Sequence, residues 1–123
     1  MIKIIFTEAS LGGRRCFLRF SAEGHSGYAA EGSDIVCAAV SACSMLAANT
    51  LTEQFGLPAI IEADAGRALF SLDISGSAPL LSEGEGFSRV GYAVRGCLAG
   101  LYAQLLRLRG EYPQYIEVKT VKL

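Results

Sequence analysis

The chain has 123 residues, 51% of them hydrophobic and 19% charged, with 11 basic against 12 acidic side chains and a formal net charge of −1. That length suits one domain over residues 1–123, and the apolar share excludes a disordered chain. The charge balance gives no electrostatic footprint for nucleic acid or an anionic membrane.

Taken in chain order, Ile2–Thr7 and Cys16–Glu23 read as strands joined at a Gly12-Gly13 turn. In the second strand Cys16, Leu18, Phe20 and Ala22 alternate onto one apolar face. Phe17, Arg19, Ser21 and Glu23 fall on the other. The stretch from Gly24 to Ser33 carries Gly24, Gly27 and Gly32 and has no period, so it reads as a long loop. Asp34 opens a helix that runs through Thr52. Ser33 or Asp34 caps it, and Gly56 and Pro58 stop it. No charge occurs from Ile35 to Thr52. The run has the length of a membrane span, but Ser41, Ser44, Asn49, Thr50 and Thr52 interrupt it, so a helix buried on most sides is expected.

Ala59–Asp64 and Arg67–Ile74 form a second hairpin about Ala65-Gly66. Gly76–Gly86 reads as a polar loop. Ser88–Arg109 is a second helix with Val90, Val94, Cys97, Leu101, Leu105 and Leu108 on one stripe, ended by Gly110 and Pro113. Its Gly96-x-x-x-Gly100 reads as a site of close helix packing. Tyr115–Val121 is the last strand. The order β-β-α-β-β-α-β predicts an α+β fold, a mostly antiparallel sheet of about five strands with two long helices on one face. Such a layer covers one face of the uncharged helix. Gly91, Gly96 and Gly100 would let the second helix approach Ala38, Ala42 or Ala47, and a second copy of the chain is the expected cover for the rest.

Four cysteines, Cys16, Cys37, Cys43 and Cys97, contain no C-x-x-C pair, and His25 is the one histidine, so no metal site is expected. Gly84-Glu85-Gly86 lacks the third glycine of a dinucleotide fingerprint, and no cofactor is expected. The apolar stretch within the N-terminal Met1–Glu8 is too short for a secretion signal, which points to the cytoplasm and reduced thiols.

Chemistry concentrates at one stretch. His25 ends a strand, and Cys37 follows twelve residues later in the first turn of a helix. Helix N-termini present unpaired N–H groups and a partial positive charge, which favour thiolate over thiol. An imidazole nearby can take and return a proton, and free amides beside the sulfur would hold an oxyanion. The residues alone also fit a buried small cysteine, a surface histidine and an Asp34 that is only a cap. Cys16, Cys43 and Cys97 read as core.

Gly24-His25-Ser26-Gly27-Tyr28-Ala29, followed by Gly32-x-Asp34-Ile35-Val36-Cys37-Ala38-Ala39-Val40-Ser41, strongly resembles the ribosomal-processing cysteine protease family Prp. The likeness extends over essentially the whole chain. It implies a nucleophile at Cys37, a catalytic histidine at His25, a supporting or orienting Asp34, and a mobile glycine-rich loop containing Gly24, Gly27 and Gly32. It implies a cytoplasmic homodimer that removes the short N-terminal extension of large-subunit ribosomal protein twenty-seven, cutting after a phenylalanine that precedes Ala or Ser. Ser26 stands where many relatives carry alanine, a variant expected to leave these roles intact. The alternatives are a small dimeric binding module with structural Cys37 and His25, and a thiol acyltransferase acting on a small molecule.

Overall fold

The computed structural model describes residues Met1–Leu123. Strands β1 (Ile2–Leu11) and β2 (Arg14–Glu23) form a long hairpin. Gly12 and Gly13 have φ of +58° and +76°. Two positive values in a row are what a two-residue I′ turn demands, and such a turn matches the twist of its strands. Both strands therefore run up to the turn, past the expected limits at Thr7 and Cys16.

The alternation expected along β2 breaks at one point. Thr7 pairs with Arg19 and Glu8 with Phe17, which leaves Leu18 as the extra residue of a β-bulge. The bulge moves Phe17 off the Arg19 face. Its ring meets those of Phe6 and Tyr102 with all three centroid separations between 5.0 and 5.1 Å.

Helix α1 (Ile35–Asn49) continues as one wider turn, Thr50–Gln54, and stops at Gly56 and Pro58 as expected. Strands β3 (Ile60–Asp64) and β4 (Leu69–Asp73) follow. Their connection is four residues long rather than two. The Asp64 carboxylate accepts from Gly66 N at 2.9 Å and Arg67 N at 3.3 Å, which folds the chain locally before β4 begins.

The expected polar loop after Ile74 is structured. It holds a 3₁₀ turn, a short helix α2 (Ala78–Leu81), and a minimal hairpin of β5 (Ser82–Glu83) and β6 (Gly86–Phe87). Leu81 and Phe87 are buried and anchor it. Helix α3 (Arg89–Glu111) is capped by Ser88, whose hydroxyl accepts from Gly91 N at 3.0 Å. A Cβ on Gly91 would lie 1.9 Å from Leu81 O, so Gly91 seats α2 rather than α1. Helix α3 continues through Gly110 and ends ahead of Pro113, which disfavours helical backbone at Tyr112. Strand β7 (Ile116–Lys122) completes the chain.

The five-stranded sheet has the order β3-β4-β2-β1-β7, antiparallel throughout except for β1 beside β7. The core joins Ile4, Phe6 and Phe20 of the sheet to Val40 and Leu51 of the first helical run and Leu98 of α3. Val94, Leu101 and Leu105 are buried along the predicted stripe of α3. Gly96 and Gly100, expected at a helix contact, are exposed with open space around their Cβ positions. The helices meet instead where Cys97 Sγ approaches Ala47 O at 3.9 Å.

The uncharged helical run Ile35–Gln54 is apolar enough to span a membrane, with a mean hydropathy of 1.7, but only 33% of its 18-residue window is buried within one chain. It is therefore not covered on most sides. A sheet beneath and one neighbouring helix leave a stripe containing Ile35, Ala38, Ala42, Met45 and Leu46 open. Leu46 is 70% exposed.

Candidate active site

Strand β2 ends at Glu23, and Gly24 takes the chain out of the sheet with φ of +100°. A Cβ there would lie 2.7 Å from Met1 O. Only glycine meets both the backbone and the space requirement. The next residue is His25, exposed and without a side-chain hydrogen bond.

Cys37 sits half-buried in the first turn of α1. Its sulfur accepts from the backbone N–H of Ser26 at 3.4 Å. His25 and Cys37 line one cavity of about 810 Å³, with no hydrogen bond between them. A cavity of this size is in the usual range of ligand pockets, roughly 300–1,000 Å³. Gly24, Gly27, Gly32 and Asp34 line it too, and so do Met45 of α1 and Phe70 of β4.

Asp34 is the N-cap. Its Oδ1 accepts from Val36 N at 2.9 Å and from Cys37 N at 3.0 Å. Ala38 N donates to the Asp34 carbonyl at 3.1 Å. These amides are thus engaged, and the expected oxyanion donors of the first turn are not free. The other oxygen, Oδ2, accepts from the Ser26 hydroxyl and from Ala29 N at 3.3 Å. Asp34 makes no hydrogen bond with His25. It binds the loop through Ser26 and the first turn of α1 through two amides. Ser33, the other candidate cap, turns its hydroxyl to Ala30 O.

Ser26 is the residue that sequence reasoning missed. Read as a tolerated variant, it is buried, and its hydroxyl also accepts from Tyr28 N at 3.0 Å. A serine two residues ahead of an amide it bonds is a recognised turn device, and that was the available signal. Tyr28 was missed as well. Its ring meets Tyr112 and Tyr115 edge-on, at 5.6 and 5.4 Å, and seats the loop on the junction between α3 and β7.

The Ser26 hydroxyl, aided by the amides of Cys37 and Ala29 and opposed by burial, holds the Asp34 carboxyl at about 2, below the ordinary 3.8. A carboxyl lowered on folding stabilises the fold fully above the unfolded value, and the benefit disappears as pH falls toward the folded value. The thermal midpoint should therefore fall between about pH 4 and pH 2 more steeply in the native chain than in Asp34→Asn. Parallel curves for the two proteins would exclude this role.

The sequence model of a family described as cysteine protease Prp matches residues 1–117. No curated protein matches the sequence. Among solved structures, SMU.848 from Streptococcus mutans is 22% identical, with a TM-score of 0.72 over 100% of this chain and 96% of that one. A structure from S. aureus, described as an essential ribosomal processing protease Prp in complex with a covalently linked product peptide, is 20% identical. Its TM-score is 0.73 over 98% of this chain and 100% of that one. The same S. aureus protease in complex with a substrate peptide gives 17% and 0.71 over the same shares. At these identities the likeness is one of fold.

Proposed function

The chain belongs to the cysteine protease Prp family, and from that premise we propose that it removes the N-terminal extension of large-subunit ribosomal protein twenty-seven, cutting after phenylalanine, with Cys37 as nucleophile and His25 as proton carrier. The observation that carries this reading is the seating of the loop on the sulfur. The amide next to His25 reaches Cys37 Sγ at 3.4 Å, and His25 and Cys37 both line a large, partly apolar cavity.

His25 takes the thiol proton of Cys37 as Sγ attacks the scissile carbonyl carbon, and gives that proton to the departing amine as the C–N bond breaks. Water then attacks the thioester with His25 taking its proton, and the Cys37 sulfur leaves. Asp34 fixes the turn that carries the sulfur. Gly24, Gly27 and Gly32 give the loop the backbone freedom to open for a peptide and close over it. The reaction belongs in the cytoplasm, where thiols stay reduced and the ribosomal precursor is made.

A peptide spanning the extension and the first residues of the mature ribosomal protein tests the substrate. One new N-terminus, at the Ala or Ser after phenylalanine, is the expected product by mass spectrometry. An intact peptide, or cleavage elsewhere, removes this substrate assignment.

The open stripe on α1 supports a homodimer. Ile35 and Leu46 are exposed large apolar side chains on one helix, outside the cavity lining, and a self-complementary two-fold contact would cover them. Light scattering should give twice the 13.0 kDa of one chain, and Leu46→Glu should shift it toward the monomer. A native species that stays at the single-chain mass at high concentration excludes the dimer.

A further inference from the structure

We propose that Ser26 is a positioning residue whose buried hydroxyl clamps the glycine-rich loop to Asp34 and thereby fixes the Ser26 backbone N–H on the sulfur of Cys37. The inference rests on Cys37 being the nucleophile of the proposed cleavage.

Ser26 is 3% exposed and Asp34 is 8% exposed. The hydroxyl donates to Asp34 Oδ2 and accepts from Tyr28 N, so it is satisfied as both donor and acceptor. Its backbone N–H is the one hydrogen-bond donor on Cys37 Sγ. One residue therefore holds the carboxylate that caps the helix and the sulfur that the helix presents. His25 is covalently next to it, and glycines of positive φ stand on both sides of the pair, at Gly24 and Gly27. Those glycines leave the backbone soft, and nothing in the His25 side chain itself anchors it. The position of the imidazole relative to the sulfur is then set by where Ser26 is held.

A hydrogen bond to a buried carboxylate is among the stronger kinds, and it loses most when its partner is removed. Removing the hydroxyl leaves Asp34 Oδ2 with only the longer contact from Ala29 N, and Tyr28 N without its acceptor. The cap on Oδ1 stays. The helix start should survive while the loop loosens. The titratable groups lining the cavity around Cys37 are His25, Glu31, Asp34 and Asp64; a loosened loop shifts His25 and Glu31 relative to the sulfur and takes one donor from Asp34, while Asp64 of β3 stays in place.

The test uses Ser26→Ala, Ser26→Thr and Asp34→Asn, with Ser26→Ala/Asp34→Asn as the double variant. Misplacement of a catalytic pair by about 1 Å costs on the order of 10²-fold, so kcat on the peptide should fall about 10- to 100-fold in Ser26→Ala with KM little changed. Ser26→Thr, which keeps the hydroxyl, should recover most of the rate. Because both residues act through one contact, the double variant should be no slower than the product of the single effects predicts, and instead close to the slower single variant. Amide exchange supplies a readout independent of cleavage. The amides of residues 26, 28 and 29 should exchange faster in Ser26→Ala than in the native chain, while that of Val36 stays protected. Unchanged exchange, or an unchanged kcat alongside faster exchange, overturns the proposal. If the native chain leaves the peptide uncut, the substrate assignment fails while the exchange rates still decide the clamp.

Discussion

Replacing Cys37 with alanine is expected to abolish cleavage while leaving the fold intact. Loss of a covalent nucleophile removes a whole reaction step, and in a hydrolase that acts through an acyl intermediate the loss is on the scale of ~10⁶-fold. The structural cost is small for identifiable reasons. The thiol is half-buried, and its replacement removes one hydrogen bond, with Ser26 N, and the packing of one sulfur against the core. The amides that hold the helix start are backbone groups of Val36 and Cys37, and they keep their bonds to Asp34 in an alanine variant. The thermal midpoint should stay within a few degrees of the native value.

The other thiols supply the contrast. Burial pushes the Cys16 thiol up, against a smaller opposing effect of Arg95, and burial pushes Cys97 up as well. Both are thereby held as thiols rather than thiolates, and thiols are poor nucleophiles. Cys97 is further occupied against Ala47 O. Cys97→Ala should cleave at close to the native rate, with a modest loss of stability from packing. Neutral-pH alkylation followed by peptide mapping should mark Cys37 first. A Cys37→Ala protein that still cuts the peptide at a native rate would mean that another group performs the attack.

What was legible in the sequence, and what was not, divides along physical lines. The two long helices and the order of the large strands follow from periods that extend over many residues, as in Val94, Leu101 and Leu105. Glycine pairs and proline mark the turns, as at Gly12-Gly13 and Pro58. The bulge at Leu18 was not legible, because one inserted residue reverses the face of Phe17 without changing the composition around it. Nor was the short helix Ala78–Leu81, whose four residues cannot display a period. At the site, the positions of His25 and Cys37 stood out because of the glycines and the helix start between them. The cap at Asp34 was legible too, as one of two candidates, but its consequence was not: the same carboxylate occupies the first-turn amides that were expected to serve as oxyanion donors. Ser26 was hidden as well. Its importance lies in a contact eight residues away with Asp34, and no local pattern encodes that.

His25→Ala should lower the rate by about 10²- to 10⁴-fold, the usual worth of a positioned proton carrier, with little effect on substrate binding. The imidazole is exposed and makes no hydrogen bond, so its removal leaves no buried group unpaired and the fold should melt as before. The loss belongs to both halves of the reaction, because the departing amine needs a proton and the water that opens the thioester must lose one. Cleavage should therefore slow without a burst of accumulated thioester large enough to account for it. The cavity beside Cys37 has a volume of about 810 Å³, which admits a free imidazole into the space the side chain leaves. Added imidazole should restore part of the rate in His25→Ala and leave the native chain and Cys37→Ala unaffected. The measurement is kcat on the peptide with and without imidazole, beside a thermal melt. A His25→Ala protein that keeps its rate within a factor of about three would assign the proton transfers to another group or to solvent.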